Sequence, residues 1–224
     1  MLAEELINQK IPPLRLADPV AKAARWFEQL RVSQLPVVER REFLGLIHED
    51  RLADDLDPKT PLLDLGALPD ADAFVFAHQH FYHVMETAVR HHIAVVPVLT
   101  AQREYAGVIT VNDALAAFGQ MSAMRGEGSI LVLTMLERDY SLTQISRYVE
   151  EEHAKILSAY ATPDETDPLR LKLTLRLNTS DITRIVATLE RFGFYISAQF
   201  QDRAGLGPTE ENDRLDSLLR YLSV

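Results

Sequence analysis

Leu35-Pro36-Val37-Val38, followed by Phe43-Leu44-Gly45-Leu46-Ile47, returns later in the chain as Val96-Pro97-Val98-Leu99 followed by Tyr105-Ala106-Gly107-Val108-Ile109. Pro36 and Pro97 stand 61 positions apart, and Gly45 and Gly107 stand 62 apart, so the second copy has gained one residue in its turn. Each copy follows a helical pattern and precedes another, which makes the repeat one supersecondary block used twice. Two such blocks side by side leave a crevice between them, and a crevice between pseudo-symmetric halves is a common place for a small ligand.

Outward from the first copy, residues 1–10 read as a short leading helix, broken by Ile11-Pro12-Pro13-Leu14 into an extended segment. Asp18-Pro19 starts a helix, with Asp18 as N-cap and Val20, Ala23, Ala24, Phe27 and Leu30 at helical spacing. Strands over 35–38 and 43–47 flank a charged turn, and a short helix begins near Glu49. Asp57-Pro58-Lys59-Thr60-Pro61 is a linker by composition. The order then repeats: extended over 74–77, helix over 80–92, strands over 95–99 and 105–110, helix over 112–118.

A different pattern follows the glycines at 126 and 128. Ile130–Leu136 reads as a strand, and a helix begins near Ser141. An extended stretch over 154–161 ends at Thr162-Pro163-Asp164. Leu169, Leu171, Leu173, Leu175 and Leu177 alternate with Arg170, Lys172, Thr174 and Arg176 in a half-buried antiparallel strand. A helix carrying Ile182, Ile185, Val186 and Leu189 closes at Gly193, and a last strand carries Phe194, Ile196, Ala198 and Phe200. This β-α-β-β-α-β order is the split ferredoxin-like arrangement. Leu215, Leu218, Leu219 and Leu222 give a terminal helix one apolar stripe, to be buried on its own domain or against a second subunit.

Bulk properties narrow the function. The chain has 224 residues, 47% hydrophobic and 25% charged, as expected of a soluble globular protein with one large or two small domains. It has no cysteine, which excludes disulfides, thiolate nucleophiles and Cys-based zinc sites. A net charge of -10 argues against a broad nucleic-acid or anionic-membrane surface. No apolar run is long enough to cross a bilayer, and Glu4 and Glu5 stand where a secretory signal carries bases, so the expected location is cytoplasmic.

The repeated unit, with h-Pro-Val-h and Gly-h-h-Thr-x-x-Asp, resembles the cystathionine β-synthase (CBS) domain as a tandem pair. Gly107-Val108-Ile109-Thr110-Val111-Asn112-Asp113 fits that signature at every defined position. The first copy departs from it, with His48 in place of Thr and Arg51 in place of Asp. The trailing region looks like an ACT domain, and the whole is similar to the acetoin-utilisation regulatory protein family. The layout expected is an α+β chain: CBS repeat 1 over 1–60, repeat 2 over 61–120, a linker over 121–128, a ferredoxin-like ACT-like domain over 129–203, and a tail with its amphipathic helix over 204–224.

The resemblance implies an adenine nucleotide (AMP, ADP, ATP or a relative) as regulatory ligand, with no cofactor required. It also implies a homodimer, and a separate enzyme or transporter as the regulated partner. Asp113 offers acceptors to both ribose hydroxyls. Thr110 sits where a helix N-terminus receives phosphate oxygens. Val95, Val96 and Pro97 supply an apolar wall beside Ile109. The same four residues from Thr110 to Asp113 also read as an ordinary helix cap. Arg51 cannot accept ribose hydroxyls but can pair with a phosphate, and His48 can cap or stack. One nucleotide site, dominated by Thr110 and Asp113, is expected rather than two.

In the ACT-like part, Tyr140 stands where amino-acid-binding members carry Gly, which leaves assembly as the expected role there. Arg170, Lys172 and Arg176 read as a solvated sheet face.

Other chemistries fare worse. His78, His80 and His83 have the spacing of an H-x-H-x-D-H metal motif, but Tyr82 stands in place of its Asp. They leave a metal-responsive regulator as one alternative to the sensor, and a constitutive dimeric scaffold with a vestigial cleft as another. No G-x-x-x-x-G-K-[ST] or G-x-G-x-x-G loop and no Ser-His-Asp arrangement is discernible. The acid pair Asp54-Asp55 reads as surface charge, and an enzyme is not expected.

Overall fold

The structure, a computed structural model, describes residues 1–52, 56–120 and 128–201. Asp54-Asp55, most of the proposed linker and the terminal leucine stripe lie outside the described residues. The chain divides into two compact units, Met1–Gln120 and Met121–Val224.

In the first unit, α1 (Val20–Leu30) leads into a hairpin of β1 (Gln34–Glu39) and β2 (Glu42–His48). The second copy has β3 (Val75–Phe76), α2 (Phe81–His91), β4 (Val95–Leu99), β5 (Tyr105–Thr110) and α3 (Val111–Gly119). β3 runs parallel to β4, which pairs antiparallel with β5. The first copy keeps only a trace of that parallel strand: Leu14 bridges Val37, donating to Pro36 O and accepting from Val38 N–H. Both hairpins shift register at the same place, after Val37 and after Val98.

The copies share their core. Phe27, Leu35, Val37 and Ile47 pack with Val95 and Val108. Val38, Phe43 and Leu46 pack with Val75, Val84, Val96 and Ile109. Burying such side chains supplies the dominant favourable term, about 1.5–3 kcal/mol each.

Glycine recurs for a reason that the sequence motif conceals. Gly45 (φ +146°) and Gly107 (φ +153°) each lie under a crossing segment. A Cβ on Gly45 would stand 2.6 Å from the Pro69 carbonyl oxygen, and one on Gly107 would stand 2.4 Å from Ile7 Cγ2. Any side chain here meets both a wrong backbone region and a filled space.

Three expectations about helices need correction. Residues 1–10 hold only a 3₁₀ turn, Ala3–Leu6, because Asn8 N–H, which a longer helix would turn to Glu4 O, donates instead to Val108 O. Pro19, not Asp18, is the N-cap of α1, while Asp18 accepts from Arg15 N–H and Lys22 Nζ. The helix expected near Glu49 is a 3₁₀ turn, Glu49–Arg51, as far as the described residues show.

The second unit runs β6 (Ser129–Leu136), α4 (Leu142–Glu151), β7 (Ile156–Pro163), β8 (Arg170–Leu177), α5 (Thr183–Arg191) and β9 (Tyr195–Gln201). Its antiparallel sheet has the order β7-β8-β6-β9. Leu131 and Leu133 of β6 and Leu171 to Leu177 at alternate positions of β8 pack against Ile145, Val149, Ile185 and Leu189 of the helices. The other face of β8 is polar, with Arg170 and Lys172 paired to Asp167 and Asp164 at 3.4 Å each. No helix among the described residues is long and apolar enough to cross a membrane.

Candidate functional site

At the N-terminus of α3 the chain opens into a cleft of about 400 Å³. Thr110, Val111 and Asn112 form one wall, and Ala94 and Val95 another. The last turn of α1 and the residues after it, through Arg31 and Ser33, close a third side, and Asn8 and Lys10 reach in from the N-terminal segment. Arg31 is placed there by a left-handed C-cap (φ +54°) whose N–H donates to Phe27 O.

Thr110 is the N-cap. Its Oγ1 accepts from Asp113 N–H at 3.0 Å and donates to Asp113 Oδ2 at 2.6 Å. The same oxygen of Asp113 accepts from Thr110 N–H at 3.2 Å and from Asn8 Nδ2 at 2.9 Å. Burial pushes the Asp113 carboxyl up, but the Thr110 hydroxyl, the Asn8 amide, the Thr110 N–H and the nearby Lys10 charge outweigh it, leaving it below its ordinary value. The capping box expected of Thr110 and Asp113 is therefore formed, and the carboxylate is already engaged.

The remaining candidates divide. Val95 lines the cleft. Val96 and Ile109 are buried in the shared core, and Pro97 sits in β4 opposite Val108. Asp113 is not among the residues that line the cleft; it sits in the first turn of α3, held by Thr110 and Asn8. Sequence reasoning missed Asn8, Lys10, Arg31 and Ser33. The signal for the last two was their position just before the Leu35-Pro36 strand, since at the same 61-residue offset Ser33 matches Ala94, which also lines the cleft.

No family model matches this chain. Solved structures do resemble it. A CBS domain pair/ACT domain protein from Thermotoga maritima is 22% identical, with 53% of this chain and 96% of that chain covered and a TM-score of 0.48. An acetoin utilization protein (AcuB) from Vibrio cholerae is 19% identical, with 53% of this chain and 90% of that chain covered and a TM-score of 0.45. CBSX2 in complex with AMP is 14% identical, with 53% and 96% covered and a TM-score of 0.45. The structural neighbours are CBS-domain pair proteins.

In the first copy the side chains at the matching positions are engaged within the chain. His48 occupies the position of Thr110, and its Nε2 lies 2.7 Å from Asp70 Oδ2. His91 Nδ1 stands 3.9 Å from the other Asp70 oxygen. Arg51, at the position of Asp113, donates to the carbonyls of Ala67 at 2.7 Å and Leu65 at 2.9 Å. A guanidinium so held is turned to the backbone and does not line the cleft at Thr110.

The histidine run is used locally. His80 caps α2 through Nδ1, which accepts from Tyr82 N–H, and His83 Nδ1 lies 3.2 Å from His80 O. Among the described residues no group of three or more His, Asp or Glu is placed to hold a metal ion. In the second unit Tyr140 has φ -68°, a value open to any residue, so nothing in the backbone there requires glycine.

Proposed function

We propose that this chain is a non-catalytic regulatory protein that senses an adenine nucleotide in the cleft at Thr110. The observation carrying the reading is the composition of that cleft: a capped helix N-terminus faces two cations, Lys10 and Arg31, across a wall begun by Val95. A helix N-terminus with a threonine hydroxyl suits phosphate oxygens, and the two cations add charge where a phosphate tail would lie. The carboxylate of Asp113, in the first turn of the same helix, is suited to ribose hydroxyls once its present donors yield. With Arg51 and His48 engaged within the chain, one site per chain is the reading supported.

The resemblance of the signature residues to CBS domains points the same way. On this reading the layout is a CBS pair over 1–120 and an ACT-like domain over 129–203 that sets a homodimer. Nucleotide binding shifts the relation of the two copies and alters a surface read by a separate enzyme or transporter, with the protein acting in the cytoplasm.

Thermal unfolding in AMP, ADP and ATP tests this. A ligand at about a hundred times its dissociation constant adds about 2.7 kcal/mol of stability. The shift is expected with at least one nucleotide, and Lys10→Ala and Asp113→Ala are expected to reduce it. No shift with any of the three favours a scaffold with an idle cleft.

A further inference from the structure

Both helices of the second unit lie on one face of its sheet. Leu131 and Leu133 pack with them, so Ile130 and Val132 stand on the other face. The strand register extends that open face: Phe200 lies opposite Ile130, Tyr195 opposite Thr134, and Tyr160 opposite Thr174, which is itself opposite Val132. Phe200, Tyr195 and Tyr160 are 59%, 64% and 58% exposed. One exposed ring is ordinary, but three rings and two aliphatic side chains on one sheet face mark a surface that something covers.

A second copy stacked on this face would gain too little. Four strands at about 4.8 Å spacing and seven residues at about 3.3 Å give a face of about 400 Å². Two such faces bury about 800 Å² in total, short of the roughly 1,200 Å² at which stable interfaces begin. A segment tethered to the same sheet needs no such area, because its linker sets a high effective concentration.

The chain's own end meets that requirement. β9 finishes at Gln201, one residue past Phe200. Thirteen residues, Asp202 to Arg214, then precede Leu215, Leu218, Leu219 and Leu222. Fully extended they reach about 43 Å, about three times the distance between the outer strands. Gly205, Gly207 and Pro208 within them suit a reversal of the chain. As a helix the leucine stripe would be about 12 Å long, close to the width of the sheet. So short a helix is marginal in water and needs an apolar surface to hold it. We infer that the terminal leucine stripe, Leu215 to Leu222, docks on the open face of its own sheet, against Ile130, Val132 and Phe200.

The chain has no cysteine, so a single pair of thiols can be placed in the full-length protein and joined by a short bismaleimide. Ala198→Cys, opposite Val132 on the open face, is combined with Leu219→Cys; the control combines Leu219→Cys with Glu190→Cys on the exposed side of α5. Isotopically light and heavy chains are refolded together, so a bridge within one chain and a bridge between two chains differ in mass. The bridge within one chain is expected to form about tenfold faster in the face pair than in the control. A second measurement needs no thiols: Leu218→Ser with Leu222→Ser is expected to shift the backbone amide resonances of Ile130, Val132 and Phe200. Resonances of the first unit that stay in place show that the variant is folded. A face pair no faster than the control, a product of mixed mass, or open-face amides unmoved by the leucine changes overturns the docking.

Discussion

Asn8 and Asp113 are 105 positions apart in the chain, yet the Asn8 amide donates to Asp113 Oδ2 at 2.9 Å. That bond fastens the N-terminal segment to the first turn of α3, beside the bridge between Asn8 and Val108. It also occupies the carboxylate oxygen on which the nucleotide reading depends. A ligand hydroxyl that takes Oδ2 of Asp113 competes with the protein's own amide.

Asn8→Ala therefore has two expected effects of opposite sign. Loss of a part-buried bond to a carboxylate lowers stability by about 1–2 kcal/mol, measured by urea unfolding. Release of the carboxylate raises affinity for a ribonucleotide by about fivefold, measured by calorimetry. Unchanged affinity beside reduced stability would make the bond structural only.

The titration of Asp113 gives a second expectation. Its folded pKa lies below the ordinary carboxylate value, so its contribution is present above the unfolded pKa and is lost as pH falls through the lower, folded one. The stability difference between the parent and Asp113→Asn is expected to be largest near neutrality and to shrink below about pH 4. Urea midpoints from pH 7 down to pH 3 check it; a difference independent of pH would mean the carboxylate charge contributes nothing.

Much of this was legible in the residues. The alternation from Leu169 to Leu177 gave a strand with one buried face, since every leucine from 171 to 177 at that spacing is packed beneath α4 and α5. The duplicated Pro-Val and Gly-h-h motifs marked hairpins that bulge alike. The cap at Thr110 was readable because its partner is three residues away. What could not be read were contacts closed over long separations. Asn8 carries no local pattern that points to Asp113, and Arg51 looks available for a phosphate until the loop carbonyls of Leu65 and Ala67 are folded onto it. The N-terminal residues have a helical spacing of Leu2, Leu6 and Ile7, but the bond from Asn8 N–H to Val108 O ends so short a helix.

Gly107 gives the last expectation, and it separates two causes. At φ +153°, alanine is strained whatever surrounds it, and its Cβ would also stand 2.4 Å from Ile7 Cγ2. Gly107→Ala is expected to cost about 2–4 kcal/mol, from left-handed strain together with overpacking. Ile7→Ala alone loses apolar contacts of a partly buried side chain, about 1–2 kcal/mol. In the double variant the clash is gone, so the summed single losses exceed the measured loss by about 1 kcal/mol or more. Strict additivity in chemical unfolding would show that Ile7 does not press on Gly107, and the strain alone would then explain why a glycine stands in the strand.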